Sequence, residues 1–170
     1  DGGPCMSVIN LDGRTAVPGL VDNHNHFLLL GLRPGHDTRL ETAISIADVQ
    51  AAIRARTKSV KAGQFITAMG GWTAAQFAEN RLPTLAELDE AVPNSPVYIS
   101  EGFTGPSTTN SLGKKFFESQ NPPIAVGADG SIAAGGEATG RATLALRQTL
   151  LTFEQRKRGA DEYSIDGEGT

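Results

Sequence analysis

Signals for strands and for helices alternate along most of this chain, and this alternation constrains the fold more than any other feature. Residues 45–62 predict a helix that begins with a capping box, because Ser45 is followed three residues later by Asp48. Strand-like runs follow at FITAM and PVYIS. Further helices are predicted at TLAELDEAVP, at TTNSLGKKFFES and from about residue 141 to about 158. The pattern favours an α/β fold over an all-α or all-β fold.

Length and charge limit the classes of protein to which the chain can belong. Its 170 residues predict one domain, or one domain with a small extension. The net charge of −4 favours neither nucleic acid nor an anionic membrane as a partner, and no apolar run approaches the length of a membrane span. The single cysteine, Cys5, excludes an internal disulfide and fits a reducing compartment, so we expect a cytoplasmic protein.

The stretch VPGLVDNHNHF, residues 17–27, carries two of the three histidines of the chain. If it is a strand, Asp22, His24 and His26 share one face, because strand side chains alternate between faces. Two imidazoles on one face can ligate a divalent ion that takes its remaining ligands from elsewhere. Asp22 can ligate too, or accept a hydrogen bond that fixes a histidine tautomer. An isolated His-x-His is also compatible with a polar surface turn.

The residues around this stretch distinguish a metal site from a polar surface turn. The segment LDGRTAVPGLVDNHNHF resembles the entry into the first barrel strand of the amidohydrolase superfamily, the metal-dependent hydrolases of amides and related C–N bonds. The recurring pattern there is a turn, Pro-Gly, an apolar pair, Asp and then His-x-His. The residues that match it are Pro18, Gly19, Leu20, Val21, Asp22, His24 and His26.

A second segment, GGWTAAQFAENRLPTLAELDEAVPNSPVYIS, resembles one branch of that superfamily, the N-substituted formamide deformylases and exoenzyme-regulation proteins. A Gly-Trp pair precedes an Arg-x-Pro-Thr-hydrophobic-x-x-Leu-Asp run in this branch. The matching residues are Gly71, Trp72, Arg81, Pro83, Thr84, Leu88 and Asp89. Asn110-Ser111 and residues 136–140 are similar to that branch as well. The resemblance covers roughly residues 8–158.

The resemblance implies a fold and a site. Members fold as a (β/α)₈ barrel with a smaller β-sandwich, so residues 1–16 would be a β-sandwich remnant, 17–160 a partial barrel with an insert, and 161–170 a flexible tail. His24 and His26 would be metal ligands for a divalent ion, with Zn²⁺ the expected metal, and Asp22 would support them. Trp72 and His36 would line a substrate pocket, although each is also compatible with an ordinary structural role.

The chain departs from the family pattern after the first strand. Relatives carry a bridging lysine or acidic residue, two more histidines and a catalytic aspartate on later strands, whereas the only histidine here after His26 is His36. Many relatives also have a histidine a few residues before the Asn-Ser pair, where this chain has Gly105. A (β/α)₈ barrel takes about 250 residues, so this sequence cannot close one. We therefore expect an incomplete fragment of a hydrolase.

A second hypothesis from another class stays open. The chain could be a non-catalytic α/β module that binds a ligand or forms an oligomer. A partial barrel leaves strand edges and apolar surface uncovered, and self-association would cover them. We therefore expect a homo-oligomer, with a small amide-like molecule as the substrate of the parent enzyme and neither nucleic acid nor membrane as a partner.

Overall fold

The computed structural model describes residues 9–19, 21, 38–102, 105–135 and 137–150 of the chain. These residues form four α-helices, one short 3₁₀ turn and four strands. The helices are α1 (Ile46–Arg56), α2 (Leu85–Ala91), α3 (Ser111–Glu118) and α4 (Glu137–Leu150), the 3₁₀ turn is Ala74–Gln76, and the strands are β1 (Ile66–Met69), β2 (Val97–Ser100), β3 (Ser107–Thr109) and β4 (Ser131–Ile132).

The four strands form one mixed sheet in the order β1-β2-β3-β4. β1 and β2 are parallel, with Ile66 opposite Val97, and α2 lies between them in the chain. β3 runs antiparallel to β2, and β4 runs antiparallel to β3. The predicted α/β fold class is confirmed. The parallel pair with its connecting helix is a βαβ unit, the unit that α/β barrels repeat, and the antiparallel β3 and β4 are an addition to it.

Two hydrophobic clusters lie on opposite faces of the sheet. One contains Val49 and Ile53 of α1 and Leu88 of α2, packed with Ile66 and Ile99. The other contains Phe117 of α3 and Leu146 of α4, packed with Tyr98 and Ile132. Val97 and Ile99 lie in the first cluster and Tyr98 in the second, because successive strand residues face opposite sides. The sheet is therefore covered by helices on both faces, as a parallel pair of strands requires.

Helix α1 is shorter than the sequence predicts. It begins after Ser45, whose hydroxyl accepts a hydrogen bond from Asp48 N–H, but it ends at Arg56 rather than at residue 62. The hydroxyls of Thr57 and Ser59 donate to carbonyl oxygens three residues earlier, at Arg54 and Arg56. Such local bonds compete with the helical ladder and end the helix early.

The two later helices begin elsewhere than predicted. Thr108 and Thr109 were expected in a helix but belong to β3, and α3 begins only after Asn110. Threonine is β-branched and favours a strand, a preference that the helical pattern around it concealed. Helix α4 begins at Glu137, before the predicted start at 141. Its predicted end near residue 158 lies outside the described residues.

The predicted turn at Asp12-Gly13 is present, but the described residues around it, 9–11 and 14–19, are not in strands, so the structure does not show the predicted hairpin. Both residues have positive φ, 48° and 77°, and Arg14 N–H donates to Leu11 O at 2.9 Å. Two positive φ values are typical of a type I′ turn. Among the described helices, none combines the length and the apolar character needed to cross a membrane.

Candidate functional site

The carboxyl ends of β1 and β2 are the candidate site, because α/β folds place their chemistry at this end of parallel strands. The two strands end side by side, with Met69 opposite Ser100. Gly70 and Gly71 follow β1 with φ of 80° and 81°, a conformation that glycine adopts without strain. A Cβ added at Gly71 would lie 2.9 Å from Glu41 Oε1. The glycine pair thus allows a sharp turn and a close approach of Glu41 to the backbone.

Two polar side chains hold the loop after β1 in place. Glu101, the first residue after β2, accepts a hydrogen bond from Ala74 N–H at 2.7 Å through Oε1. Gln76 Nε2 donates to Leu40 O at 2.9 Å and to Ala43 O at 2.7 Å. The loop is therefore fastened to β2 on one side and to the segment before α1 on the other.

Neither Glu101 nor Gln76 was identified from the sequence. The position of Glu101 directly after the strand PVYIS was a usable signal, because that position is the carboxyl end of a strand. Gln76 carries no such signal, since its role depends on carbonyl groups more than thirty residues away.

Charged side chains lie beside the glycine pair. Arg39 Nη2 and Glu41 Oε1 are 2.6 Å apart, and the Arg39 side chain is 81% exposed. Partial burial opposes ionisation of Glu41, but its own backbone N–H and Arg39 outweigh that effect and lower the pKa of the carboxyl group. Arg39 is therefore a solvated cation close to the carboxyl end of β1.

Trp72 lies in the first hydrophobic cluster and is only 6% exposed. Its ring stacks on Phe77, with the centroids 5.6 Å apart and the planes at 23°. The indole Nε1 is buried and has no hydrogen-bond partner among the described residues. The structure thus shows the packing of Trp72 in the core, and its predicted role as a pocket wall stays a prediction.

Asp22, His24, His26 and His36 all lie outside the described residues. Within the part of the chain that the structure describes, no group of three or more histidine, cysteine, aspartate or glutamate side chains could hold a metal ion. The metal-ligand prediction for His24 and His26 therefore depends on the sequence and on the family, and the described residues offer no complete ligand set of their own.

The second segment that resembles the family has a structural role, because its residues begin helix α2 and pack it against the sheet. Arg81 makes a bidentate ion pair with Glu87, with both N–O distances at 2.8 Å. Thr84 caps α2, accepting from Glu87 N–H, and Glu87 accepts in return from Thr84 N–H at 2.8 Å. The Arg81 bond is the largest cause that lowers the pKa of Glu87, to about 2, with partial burial opposing it. Leu88 is fully buried in the first cluster.

Asn110 uses all of its polar side-chain atoms in four hydrogen bonds to backbone groups. Its Oδ1 accepts from Val97 N–H at 2.9 Å and from Gly113 N–H at 3.0 Å. Its Nδ2 donates to Val92 O at 3.2 Å and to Ser95 O at 2.9 Å. The side chain is fully buried and joins the end of α2, the start of β2 and the start of α3.

Asp89 completes this junction from α2. Its carboxylate accepts from Ser111 N–H at 3.0 Å and from Ser111 Oγ at 2.5 Å. The residues that resemble the deformylase branch, from Arg81 to Ser111, therefore position helices against the sheet.

The Amidohydrolase family model matches residues 7–162, which include both the His-x-His segment and the scaffold segment. The chain belongs to the Amidohydrolase family. The resemblance inferred from the sequence is thereby confirmed at the level of the family, for its N-terminal part.

Two curated relatives from different organisms are similar over about half of the chain or more. The N-substituted formamide deformylase of Arthrobacter pascens is 30% identical over 97 residues, covering 56% of this chain and 18% of the relative. Protein LONG AFTER FAR-RED 3 of Arabidopsis thaliana is 29% identical over 107 residues, covering 63% of this chain and 18% of the relative. The chain thus spans less than a fifth of the length of either protein.

Two solved structures share the fold. An uncharacterized metal-dependent hydrolase from Pyrococcus horikoshii superposes with a TM-score of 0.59 at 21% identity, covering 85% of this chain and 28% of the other. An uncharacterized metal-dependent hydrolase from Pyrococcus furiosus superposes with a TM-score of 0.57 at 19% identity, covering 88% of this chain and 29% of the other. At these identities the likeness concerns the fold alone.

Proposed function

We propose that this chain is the N-terminal barrel part of a metal-dependent hydrolase that acts on amide-like C–N bonds. The observation that carries the proposal is the family match over residues 7–162, which includes the Asp-x-His-x-His run. The relative from Arthrobacter pascens is named for N-substituted formamides, and this name supports small N-substituted amides as the substrate class.

His24 and His26 are the proposed metal ligands, with Zn²⁺ as the proposed ion. Two imidazoles suit a divalent transition metal but leave a tetrahedral site short of ligands. When bound, such an ion supplies Lewis-acid activation of water. Asp22 would accept a hydrogen bond from an imidazole and so fix its tautomer, while His36 and Trp72 would line the substrate pocket.

The described residues have a supporting role in this proposal. Glu101 and Gln76 hold the loop after β1 at the carboxyl end of the sheet, and Gly71 lets Glu41 approach that loop. The remaining ligands and a catalytic aspartate would have to come from chain that is not in this sequence, because His36 is the only further histidine. We therefore propose that the chain alone is an incomplete hydrolase.

Calorimetric titration of Zn²⁺ into the 170-residue chain tests the ligand proposal. We expect weak, labile binding that the His24→Ala/His26→Ala variant abolishes, and His36→Ala serves as the matched control with unchanged binding. Equal heats from the wild type and the double variant would contradict the assignment of these ligands.

Assays on N-substituted formamides test whether the chain alone is an incomplete hydrolase. We expect no measurable hydrolysis by the chain alone, with or without added Zn²⁺ or Mn²⁺. Metal-dependent turnover that disappears in His24→Ala would contradict this expectation and would mean that a second copy or another subunit completes the site.

The second hypothesis, in which the chain is a non-catalytic module, also predicts that copies of the chain associate with one another. Among the described helices, Leu144 on α4 is the one large apolar side chain that is exposed, at 57%. By contrast, Val49 and Ile53 of α1 and Leu150 of α4 are buried within this chain. We propose a homo-oligomer that light scattering at micromolar concentration would detect and that Leu144→Ser would weaken. A monomer mass for the wild type would contradict it.

A further inference from the structure

A cavity of about 300 Å³ lies between the start of α2 and the β3–β4 edge of the sheet. It is lined by residues 81–84, by Thr108 of β3, and by Asp129 and Ser131. Residues 81–84 form the end of the segment that joins β1 to α2, and the remaining lining residues lie on β3, on β4 and in the turn before β4. Small-molecule pockets begin at about this volume, so the cavity suits a ligand of only a few heavy atoms.

The charges around the cavity favour a cation. Both terminal nitrogens of Arg81 are engaged by the two oxygens of Glu87, so that the guanidinium is already neutralised by a partner. Asp129 accepts two hydrogen bonds from Ser131, from its N–H at 3.1 Å and from its Oγ at 2.6 Å, and both reach Oδ1. No hydrogen bond from another described residue reaches its Oδ2, although the backbone N–H of Asp129 itself also stabilises the charged carboxylate. Lys114 is near Asp129, but its Nζ donates to Val126 O and Gly127 O.

The fold holds Asp129 and Ser131 in this arrangement. A Cβ at Gly127 would lie 2.6 Å from both Asp129 Oδ1 and Ser131 Oγ, a distance that atoms cannot keep without a shift. Asp129 O also accepts from Leu85 N–H at 2.7 Å, which joins the turn to the first residue of α2. The carboxylate is therefore positioned by backbone contacts on two sides.

Thr108 adds an unused polar group to the cavity wall. The residue is 2% exposed, and its Oγ1 has no hydrogen-bond partner in the part of the chain that the structure describes. A buried hydroxyl without a partner calls for an explanation. A change of χ1 rotamer moves the hydroxyl to the position that the methyl group occupied and the methyl group to the former position of the Cβ hydrogen, and the hydroxyl loses no bond when it moves. A ligand in the cavity can supply the partner that the sheet does not.

We propose that this cavity binds a small primary alkylammonium ion. The ammonium group carries three donors, which suit Asp129 Oδ2 and Thr108 Oγ1, while Leu82 and Pro83 provide an apolar wall for the alkyl chain. The proposal does not depend on the metal site or on hydrolysis.

Titration of propylammonium chloride into the ¹⁵N-labelled chain, followed by amide chemical shifts, tests the proposal. We expect saturable shifts at Ser131 and Leu85, with a Kd of about 1–10 mM. Propanol and acetate, which lack the ammonium group, are expected to give no saturable shifts at these residues.

Two variants and a control sharpen the test. Asp129→Asn keeps the acceptor for Ser131 but removes the charge, and we expect a Kd at least about tenfold higher. Thr108→Val is isosteric and is expected to weaken binding about threefold. Asp12→Asn removes a carboxylate from a turn that does not line the cavity, and it should leave the Kd unchanged. Thermal unfolding of each variant verifies folding.

Three outcomes would overturn the proposal. They are the absence of saturable shifts, a response to propanol equal to that of propylammonium, and unchanged affinity in both folded cavity variants.

Discussion

Two junctions in this protein attach a helix to the sheet with similar polar groups, but water reaches only one of them. At the junction between β3 and α3, Asn110 is 0% exposed and makes four hydrogen bonds to backbone groups. At the start of α2, the side chains of Arg81 and Glu87 are 47% and 28% exposed. Both junctions contain residues that resemble the deformylase branch.

This difference indicates that similar polar groups can contribute different amounts to the free energy of unfolding, depending on whether water reaches them. Water can replace a partner lost at the exposed junction, so a broken contact there costs little. At the buried junction the orphaned backbone groups cannot reach water, and each bears the cost of its desolvation. We therefore expect the contribution to the free energy of unfolding to increase with burial from Glu87 to Asp89 to Asn110.

Asn110→Ala is expected to have the largest effect. It removes the partners of Val97 N–H, Gly113 N–H and two carbonyl oxygens, and we expect the free energy of unfolding to fall by about 3 kcal/mol. Urea unfolding monitored by circular dichroism measures the change. Asn110→Asp keeps the acceptor but places a buried carboxylate oxygen against the carbonyl oxygens of Val92 and Ser95, so it should cost at least as much as Asn110→Ala at pH 7. If the free energy of unfolding of Asn110→Ala fell by less than about 1 kcal/mol, the buried junction would contribute no more to stability than the exposed one.

Asp89→Asn is expected to have an intermediate effect. The carboxylate accepts two bonds from Ser111 in a partly buried setting, and replacing it with a neutral amide should cost about 1–2 kcal/mol in the same unfolding assay. The neighbouring, exposed Glu90 provides the control, because Glu90→Gln should change the free energy of unfolding by less than about 0.5 kcal/mol. Equal effects of the two variants would show that the Ser111 bonds add nothing to stability.

Glu87→Gln is expected to have the smallest effect at neutral pH and a distinct dependence on pH. The ion pair with Arg81 lowers the pKa of Glu87 to about 2, so its contribution is complete above the unfolded pKa, near 4.5, and is lost as the pH falls towards 2. Because the pair is partly exposed, we expect about 1 kcal/mol in total.

Unfolding of wild type and Glu87→Gln between pH 7 and pH 2 measures this contribution. The difference between the two proteins should shrink as the pH falls through that window. Arg39→Gln, which removes the exposed pair with Glu41, should change the free energy of unfolding by less than about 0.5 kcal/mol at pH 7. A constant difference between wild type and Glu87→Gln across the range would mean that the ion pair is not its cause.

The sequence predicted those parts of the fold whose signals are local. The capping box of Thr84 and Glu87 and the turn at Asp12-Gly13 depend on residues a few positions apart, and both were predicted correctly. The strand β3 was missed because its three residues, Ser107–Thr109, are polar and take their structure from pairing with β2 and β4. The early end of α1 was missed because hydroxyl groups of Thr57 and Ser59 compete with the helix.

The candidate site was less predictable than the fold. Gln76 contacts Leu40 and Ala43, more than thirty residues away, and no spacing rule anticipates such contacts. Asn110 and Asp89 were noticed as matches to a family pattern, but their hydrogen bonds appear only when α2, β2 and α3 are brought together. The opposite holds for the His-x-His segment. Its candidate metal ligands were identified from the sequence, but they lie outside the described residues.

We propose that the metal chemistry of this chain belongs to His24 and His26, with the described residues as scaffold. The chain has only three histidines, so a sample labelled with ¹⁵N at histidine gives three imidazole spectra, which single His→Gln variants assign. On addition of Zn²⁺ at pH 7, we expect the imidazole signals of His24 and His26 to shift together and that of His36 to stay unchanged. A shift confined to His36, or no shift at His24 and His26, would contradict the claim.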